Sequence, residues 1–216
     1  MKIFLDSASL TEIETVYETG LLSGVTTNPT LVRKSGANYI SLITHLARNM
    51  PKLESISAEV NTGSVDAMFK EAMTFSSIGD AVTVKVPLTP EGLKVCKRLS
   101  NLGIKTNVTL CFSAAQAVMA ALAGATYVSP FVGRCNDNSF SGVELVRAIS
   151  GLYRAQGVET QVLAASLRDV HHVSRCFLYG ANVVTLPAGV FHKMYDHVLT
   201  REGLAIFNQD YKKING

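Results

Sequence analysis

The chain has little that would tie it to a metal, a nucleotide, a membrane or a nucleic acid. It has four cysteines, Cys96, Cys111, Cys135 and Cys176, with no CxxC spacing and no histidine pattern beside them. Neither a zinc site nor a disulfide framework is indicated, and reduced thiols are expected. The five histidines, His45, His171, His172, His192 and His197, fall in helical stretches. His192 and His197 do not share a helix face, and adjacent His171 and His172 diverge, so no metal ligand set is expected. There is no GxGxxG turn, no Walker-type phosphate loop and no nucleophile elbow, and the reading implies no cofactor. No stretch reaches the roughly 18 apolar residues of a membrane span, and Met1-Lys-Ile-Phe-Leu-Asp6 lacks the apolar core of a signal peptide. A cytoplasmic location without membrane binding is the expectation. Lysine and arginine total 20 against 17 acidic residues, a net charge of +3 spread along the chain without a basic run. Nucleic acid is therefore not an expected partner.

What is present is apolar substance in a repeating order. Of 216 residues, 47% are hydrophobic and 17% charged, the profile of a well-buried globular protein. A short β-like run followed by a helical pattern recurs eight times. The strand candidates are 2–6, 24–27, 56–60, 82–86, 105–110, 126–131, 161–165 and 182–186. The helical stretches between them are 9–19, 37–49, 63–77, 90–101, 113–123, 141–155, 168–179 and 187–195. Ser9-Leu-Thr-Glu12 has capping-box spacing, Thr89-Pro90-Glu91 puts proline at a first helical position, and Gly103, Gly124 and Gly180 follow three helices. Eight βα units predict an α/β fold, a closed (β/α)8 TIM barrel; an open doubly wound sheet would carry a glycine-rich first turn, where this chain has Asp6-Ser-Ala-Ser9. A ninth helical stretch near 200–213 has no strand partner. Residues 1–198 thus read as one barrel domain and 199–216 as a C-terminal helical extension. Leu204, Ile206, Phe207 and Tyr211 give that extension an apolar stripe, to be covered by its own barrel or by a neighbouring subunit.

In such barrels chemistry gathers where strands reach their C-terminal ends. The first strand ends in Asp6, the second in Thr26-Thr-Asn28-Pro29, the third in Glu59 and the fourth in Lys85 just before Pro87. The fifth carries Asn107 and Thr109, the sixth Ser129 and Phe131, the seventh leads to Ser166, and the eighth offers only Thr185. The period of two places Lys85 opposite Val82, Val84 and Val86, Glu59 opposite Ala58 and Val60, and Asn107 and Thr109 opposite Val108 and Leu110. Apolar faces would meet the helices while polar residues point into the barrel. So many inward polar ends are costly to desolvate as mere core and indicate a site.

A lysine in a closed, weakly hydrated site loses proton affinity and becomes an amine nucleophile for carbonyls. Asp6 and Glu59 beside it would supply acid and base for forming and dehydrating a carbinolamine, unless they serve only as ion-pair partners. Asn107 and Thr109 would hold a substrate hydroxyl and a water. Arg134, in Pro130-Phe-Val-Gly-Arg134, and Arg168 at the next helix start would make a monophosphate pocket with Ser166; the alternative is two solvated surface arginines.

Val25-Thr-Thr-Asn-Pro29, Ser57-Ala-Glu-Val60, Val84-Lys-Val-Pro87, Asn107-Val-Thr109, Ser129-Pro-Phe-Val-Gly-Arg134 and Ala164-Ala-Ser-Leu-Arg168 together resemble the transaldolase family, in its short subfamily that also contains fructose-6-phosphate aldolase. The resemblance runs over nearly the whole chain in one order. It implies a cofactor-free Schiff-base mechanism in the non-oxidative pentose phosphate pathway. Lys85 would attack the ketone of sedoheptulose 7-phosphate or fructose 6-phosphate, and Glu59 would assist through a water on Thr109. Asp6 would take the hydroxyl proton as the carbon–carbon bond breaks. Thr26, Asn28, Asn107, Ser129 and Phe131 would surround the dihydroxyacetone unit, and Arg134, Ser166 and Arg168 the phosphate. The unit would pass to glyceraldehyde 3-phosphate or erythrose 4-phosphate. Aldolases of the family characteristically have glutamine and tyrosine where this chain has Glu59 and Phe131, and Asn107 and Arg168 also match the transaldolases. Fructose-6-phosphate aldolase and a non-catalytic sugar-phosphate-binding barrel are the alternative readings. The resemblance further implies a homo-oligomer, a decamer of two pentamer rings, with sugar phosphates as the only other partners.

Overall fold

The eight expected strands form and close on themselves in chain order, every neighbouring pair parallel. The structure, a computed structural model, describes residues 1–215. The strands are β1 (Lys2–Asp6), β2 (Leu22–Thr26), β3 (Ser55–Glu59), β4 (Val82–Pro87), β5 (Thr106–Cys111), β6 (Tyr127–Pro130), β7 (Gln161–Ala164) and β8 (Val183–Leu186). The helices are α1 (Leu10–Tyr17), α2 (Pro29–Ser35), α3 (Tyr39–Asn49), α4 (Val65–Ser76), α5 (Pro90–Ser100), α6 (Ala114–Leu122), α7 (Val132–Asp137), α8 (Gly142–Gln156), α9 (Val170–Leu178), α10 (Ala188–Lys193) and α11 (Val198–Asn215). No helix among the described residues is long and apolar enough to cross a membrane. The fold is a (β/α)8 TIM barrel with an added C-terminal helix.

Alternation along each strand builds two separate apolar layers. Leu5, Val25, Ile56, Val84, Val86, Val108 and Val184 are fully buried against the surrounding helices. Phe4, Tyr127, Leu163, Ala165 and Val183 form a second cluster inside the barrel, with Phe131 packed onto it. Phe4 and Tyr127 meet edge to face, their ring centroids 5.9 Å apart. Each such large side chain contributes about 1.5–3 kcal/mol over remaining exposed. Gly24 makes room for this floor, since a Cβ there would come within 2.7 Å of the Phe4 ring and 2.6 Å of the Ser55 carbonyl oxygen. This cluster packs the barrel interior below the polar residues at the C-terminal strand ends.

Helix starts follow the sequence signals. Ser9, Asn38, Ser64, Thr89, Ser113, Ser141 and Asp169 each cap a helix by accepting a backbone N–H, and Pro90 opens α5. The box at α1 closes differently from its expected form. The Ser9 hydroxyl accepts from the Glu12 N–H, but the Glu12 carboxylate accepts from Ser7, whose hydroxyl in turn takes the Ser9 N–H. Gly103, Gly124 and Gly180 all have positive φ, as the turns after α5, α6 and α9 require.

Two short helices depart from the expected pattern. α2 buries none of its residues, so it carries no hydrophobic period to read. It is set instead by Asn28, whose Oδ1 accepts from the Leu31 N–H at 3.0 Å, and by Pro29 at its first turn. α7 has only six residues and places Arg134 within a helix instead of a loop. Arg168 does not begin a helix either; Asp169 caps α9, one residue later. α11 runs longer than 200–213 in both directions, and Gly216 lies outside the described residues. Leu199, Leu204, Ile206 and Phe207 on α11 are exposed in the single chain.

Candidate active site

The twelve residues singled out from the sequence all line two cavities at the C-terminal mouth, each of about 380 Å³. Asp6, Thr26, Asn107, Ser129, Ser166 and Arg168 line the first; Glu59 and Thr109 line the second. Asn28, Lys85, Phe131 and Arg134 line both, so the two lobes meet around the lysine. Strand register sets this arrangement: Glu59 pairs with Lys85 and Lys85 with Asn107 across β3, β4 and β5.

Lys85 is nearly enclosed, its side chain 7% exposed. Its Nζ stands 2.9 Å from Glu59 Oε2 and donates to the Thr27 carbonyl at 3.2 Å. Glu59 is itself anchored through its backbone, whose N–H donates to Tyr39 Oη at 2.7 Å. The Thr27 hydroxyl donates to the Ser57 carbonyl at 2.7 Å, so in its 2.7 Å contact with Tyr39 it is the acceptor. One directed chain therefore runs from Glu59 through Tyr39 and Thr27 to Ser57 and fixes both neighbours of the lysine. Burial pushes the Tyr39 phenol up to about 12, which keeps it a neutral donor.

Opposite this pair, Asp6 Oδ1 accepts from the Thr26 hydroxyl at 2.8 Å, and Thr26 contacts Thr185 at 2.6 Å. Burial pushes the Asp6 carboxyl above its ordinary value; the Lys85 charge and the Thr26 hydrogen bond pull it down, and Glu59 adds to the rise. Ser129 donates to Asn107 Oδ1 at 2.7 Å, and Asn107 Nδ2 donates to Ser57 Oγ at 3.3 Å. Thr109 Oγ1 is buried without a hydrogen-bond partner. Beside it the alternation breaks. Leu110 has φ 62° and lines the second cavity instead of meeting the helices, where the β5–β6 register shifts. The left-handed Leu110 is a strained backbone position beside the unpartnered Thr109 hydroxyl.

The arginine side of the mouth is built by β6–α7 against the β7–α9 loop. The Gly133 N–H donates to the Ser166 carbonyl at 3.0 Å, and Ser166 itself has φ 60°. A Cβ at Gly133 would fall 2.1 Å from that carbonyl oxygen, so only glycine permits the approach. Arg168 holds Asp137 at 2.5 Å, and the Arg134 guanidinium lies 5.1 Å from the Phe131 ring centroid. Phe131 also meets Phe112 edge to face. Sequence reading missed Tyr39 and Lys34, which belong to α3 and α2. The strand-end rule does not reach helix residues, and α2 has no readable period. Among the described residues, no three His, Cys, Asp or Glu side chains are placed to hold a metal ion. The four cysteines are buried and unpaired.

A parallel eight-stranded barrel whose strand ends converge on an enclosed lysine, two carboxylates and two arginines is built as a barrel enzyme. Residues 3–215 match the family profile Transaldolase/Fructose-6-phosphate aldolase, and the chain belongs to that family. It is similar to a probable transaldolase of Leptospira biflexa, 47% identical over 215 residues that cover 100% of both chains. A probable transaldolase of Caulobacter vibrioides is 47% identical over 211 residues, 98% of this chain and 96% of the relative. One of Geobacillus thermodenitrificans is 43% identical over 213 residues, 99% of each. The family resemblance carried by the strand-end motifs is thus borne out, and the protein is an enzyme of the transaldolase family.

Proposed function

We propose that this enzyme is a transaldolase that moves a dihydroxyacetone unit from a ketose phosphate to an aldose phosphate through a Schiff base on Lys85. The observation that carries the reading is the enclosed Lys85–Glu59 pair at 2.9 Å, which opens with Asp6 onto a polar lumen. Lys85 gives its proton to Glu59 and attacks the C2 carbonyl, forming the carbinolamine. Glu59 returns the proton to the departing hydroxyl, through a water that the unpartnered Thr109 hydroxyl would hold. The resulting iminium draws electrons from the C3–C4 bond as Asp6 takes the C4 hydroxyl proton. The aldose phosphate leaves, and an enamine remains on Lys85. A raised carboxyl suits Asp6 to accept that proton and return it when the acceptor aldehyde adds. Thr26, Asn28, Asn107 and Ser129 border the lumen where the three-carbon unit would stand, and Arg134, Ser166 and Arg168 where its phosphate end would lie.

Transfer needs the enamine to outlive the first product. Phe131 supports this outcome, because its ring lines both lobes and offers no hydroxyl to hold water or deliver a proton. The reading places the enzyme in the non-oxidative pentose phosphate pathway, in the cytoplasm, acting on sedoheptulose 7-phosphate or fructose 6-phosphate with erythrose 4-phosphate or glyceraldehyde 3-phosphate as acceptor. Assembly into a homo-oligomer through α11 belongs to the same proposal, supported by its exposed Leu199, Leu204, Ile206 and Phe207.

Borohydride reduction in the presence of fructose 6-phosphate tests the mechanism. A dihydroxyacetone adduct on Lys85, located by peptide mass, is expected. No adduct, or one on another lysine, refutes it and leaves a sugar-phosphate binder. A coupled assay with and without erythrose 4-phosphate tests transfer: release of glyceraldehyde 3-phosphate without acceptor would make the enzyme an aldolase.

A further inference from the structure

Four cationic side chains line the first cavity: Lys34, Lys85, Arg134 and Arg168. Three have partners within the protein. Lys85 is held by Glu59 and the Thr27 carbonyl, Arg168 by Asp137, and Arg134 lies against Phe131. Lys34 is exposed and has no hydrogen-bond or ion-pair partner among the described residues. Its position follows from α2, which starts on the Asn28 cap at the end of β2 and ends at Gly36 with φ 69°. In the closed order β1 to β8, β2 stands four strands from β6, on the opposite side of the ring. Arg134 and Arg168 follow β6 and β7, so Lys34 reaches the same cavity from the facing rim.

We infer that Lys34 is a specificity-determining residue of the site, a second-rim cation that selects sugars carrying a phosphate. This rests on the reading that the arginines take the phosphate. An ammonium on a flexible, solvated stem acts as a point charge toward a dianion and lacks the forked geometry of the two guanidinium groups. It therefore strengthens capture equally in ground and transition states, which lowers KM without raising kcat. The contribution of one exposed lysine is modest and screened by salt.

The test compares Lys34→Met, Lys34→Arg and Arg134→Gln with the parent protein. Inorganic phosphate serves as the probe in calorimetric titration, which requires no turnover, alongside steady-state kinetics. Lys34→Met is expected to weaken phosphate binding and raise KM for the phosphorylated donor roughly three- to tenfold, with kcat within about twofold. Lys34→Arg should recover most of the loss. KM for unphosphorylated glyceraldehyde as acceptor should be the same in both proteins, and the deficit should shrink in high salt. If Arg134→Gln weakens phosphate binding while Lys34→Met leaves it unchanged, the role of Lys34 is overturned and the arginine site stands. If the parent protein binds no inorganic phosphate, the arginine reading fails and the Lys34 inference falls with it. An equal KM rise for phosphorylated and unphosphorylated substrates also overturns it.

Discussion

Replacing Lys85 with methionine removes the cation that acts on both Asp6 and Glu59 at the centre of the site, and the cost should depend on pH. At 2.9 Å and an effective dielectric of about 20, the Lys85–Glu59 attraction is about 6 kcal/mol before desolvation. Desolvating both groups cancels a large part. Glu59, with its side chain 16% exposed, keeps some water, and Asp6, already raised by burial, can take up a proton once the cation has gone. A net loss of about 3 kcal/mol at neutral pH remains. The sign follows from Asp6: without the Lys85 charge its carboxyl rises further, so the folded state holds a proton that the unfolded chain releases, and stability falls as pH rises. Urea unfolding followed by circular dichroism should show the midpoint of Lys85→Met lowered by about 1–1.5 M near pH 7.5, taking a slope of about 2–3 kcal/mol/M. Near pH 5 the deficit should be about half as large. The double variant Lys85→Met, Glu59→Gln should recover at least half of it, since the stranded charge is gone. Equal deficits at both pH values, or a double variant no more stable than the single one, would refute the assignment of the cost to unpaired carboxylates.

Asp6→Asn should raise the melting temperature near neutral pH while abolishing turnover. The folded-state value of Asp6 is raised by burial, so the stability it contributes is present below the ordinary carboxylate value and lost as pH rises; asparagine keeps the Thr26 hydrogen bond and never ionises. Melting scans should converge for the two proteins near about pH 4, and a variant less stable than the parent at neutral pH would contradict the shift. Tyr39→Phe keeps the ring on Phe75 but strands the Glu59 N–H, and should cost about 1–2 kcal/mol of stability in urea. It should also slow formation of the borohydride-trappable adduct, because Glu59 and the Thr27 carbonyl lose their shared anchor; an unchanged trapping rate would reduce Tyr39 to a packing residue.

Much of the site was legible because it obeys rules local to strands. Glu59 and Asp6 end their strands, Lys85 lies near the end of β4 and Asn107 beside it in register, and a period of two assigns each to the lumen once its valine, alanine or leucine neighbours are assigned to the helices. The barrel itself follows from eight strand–helix alternations without a nucleotide turn. Where the period failed, a local rule was overridden by tertiary contact. Leu110 has an apolar side chain expected to face the helices, yet its left-handed backbone brings it to the cavity. Arg134 is raised on a six-residue helix that no hydrophobic pattern announces. Thr27 contributes its carbonyl to Lys85, a backbone group that no side-chain motif reports.

Local patterning alone marked the polar strand-end residues and put them at one end of a closed barrel. Alternation, caps and turn glycines are encoded within a few residues of one another. How those groups pair came from folding at long range: Lys85 faces its register partner Glu59, Tyr39 ties Glu59 to Thr27, the Thr109 hydroxyl finds no partner, and Lys34 reaches in from the opposite rim. These are contacts between segments far apart in the chain. Their distances are set by barrel closure and strand stagger, which no single segment contains.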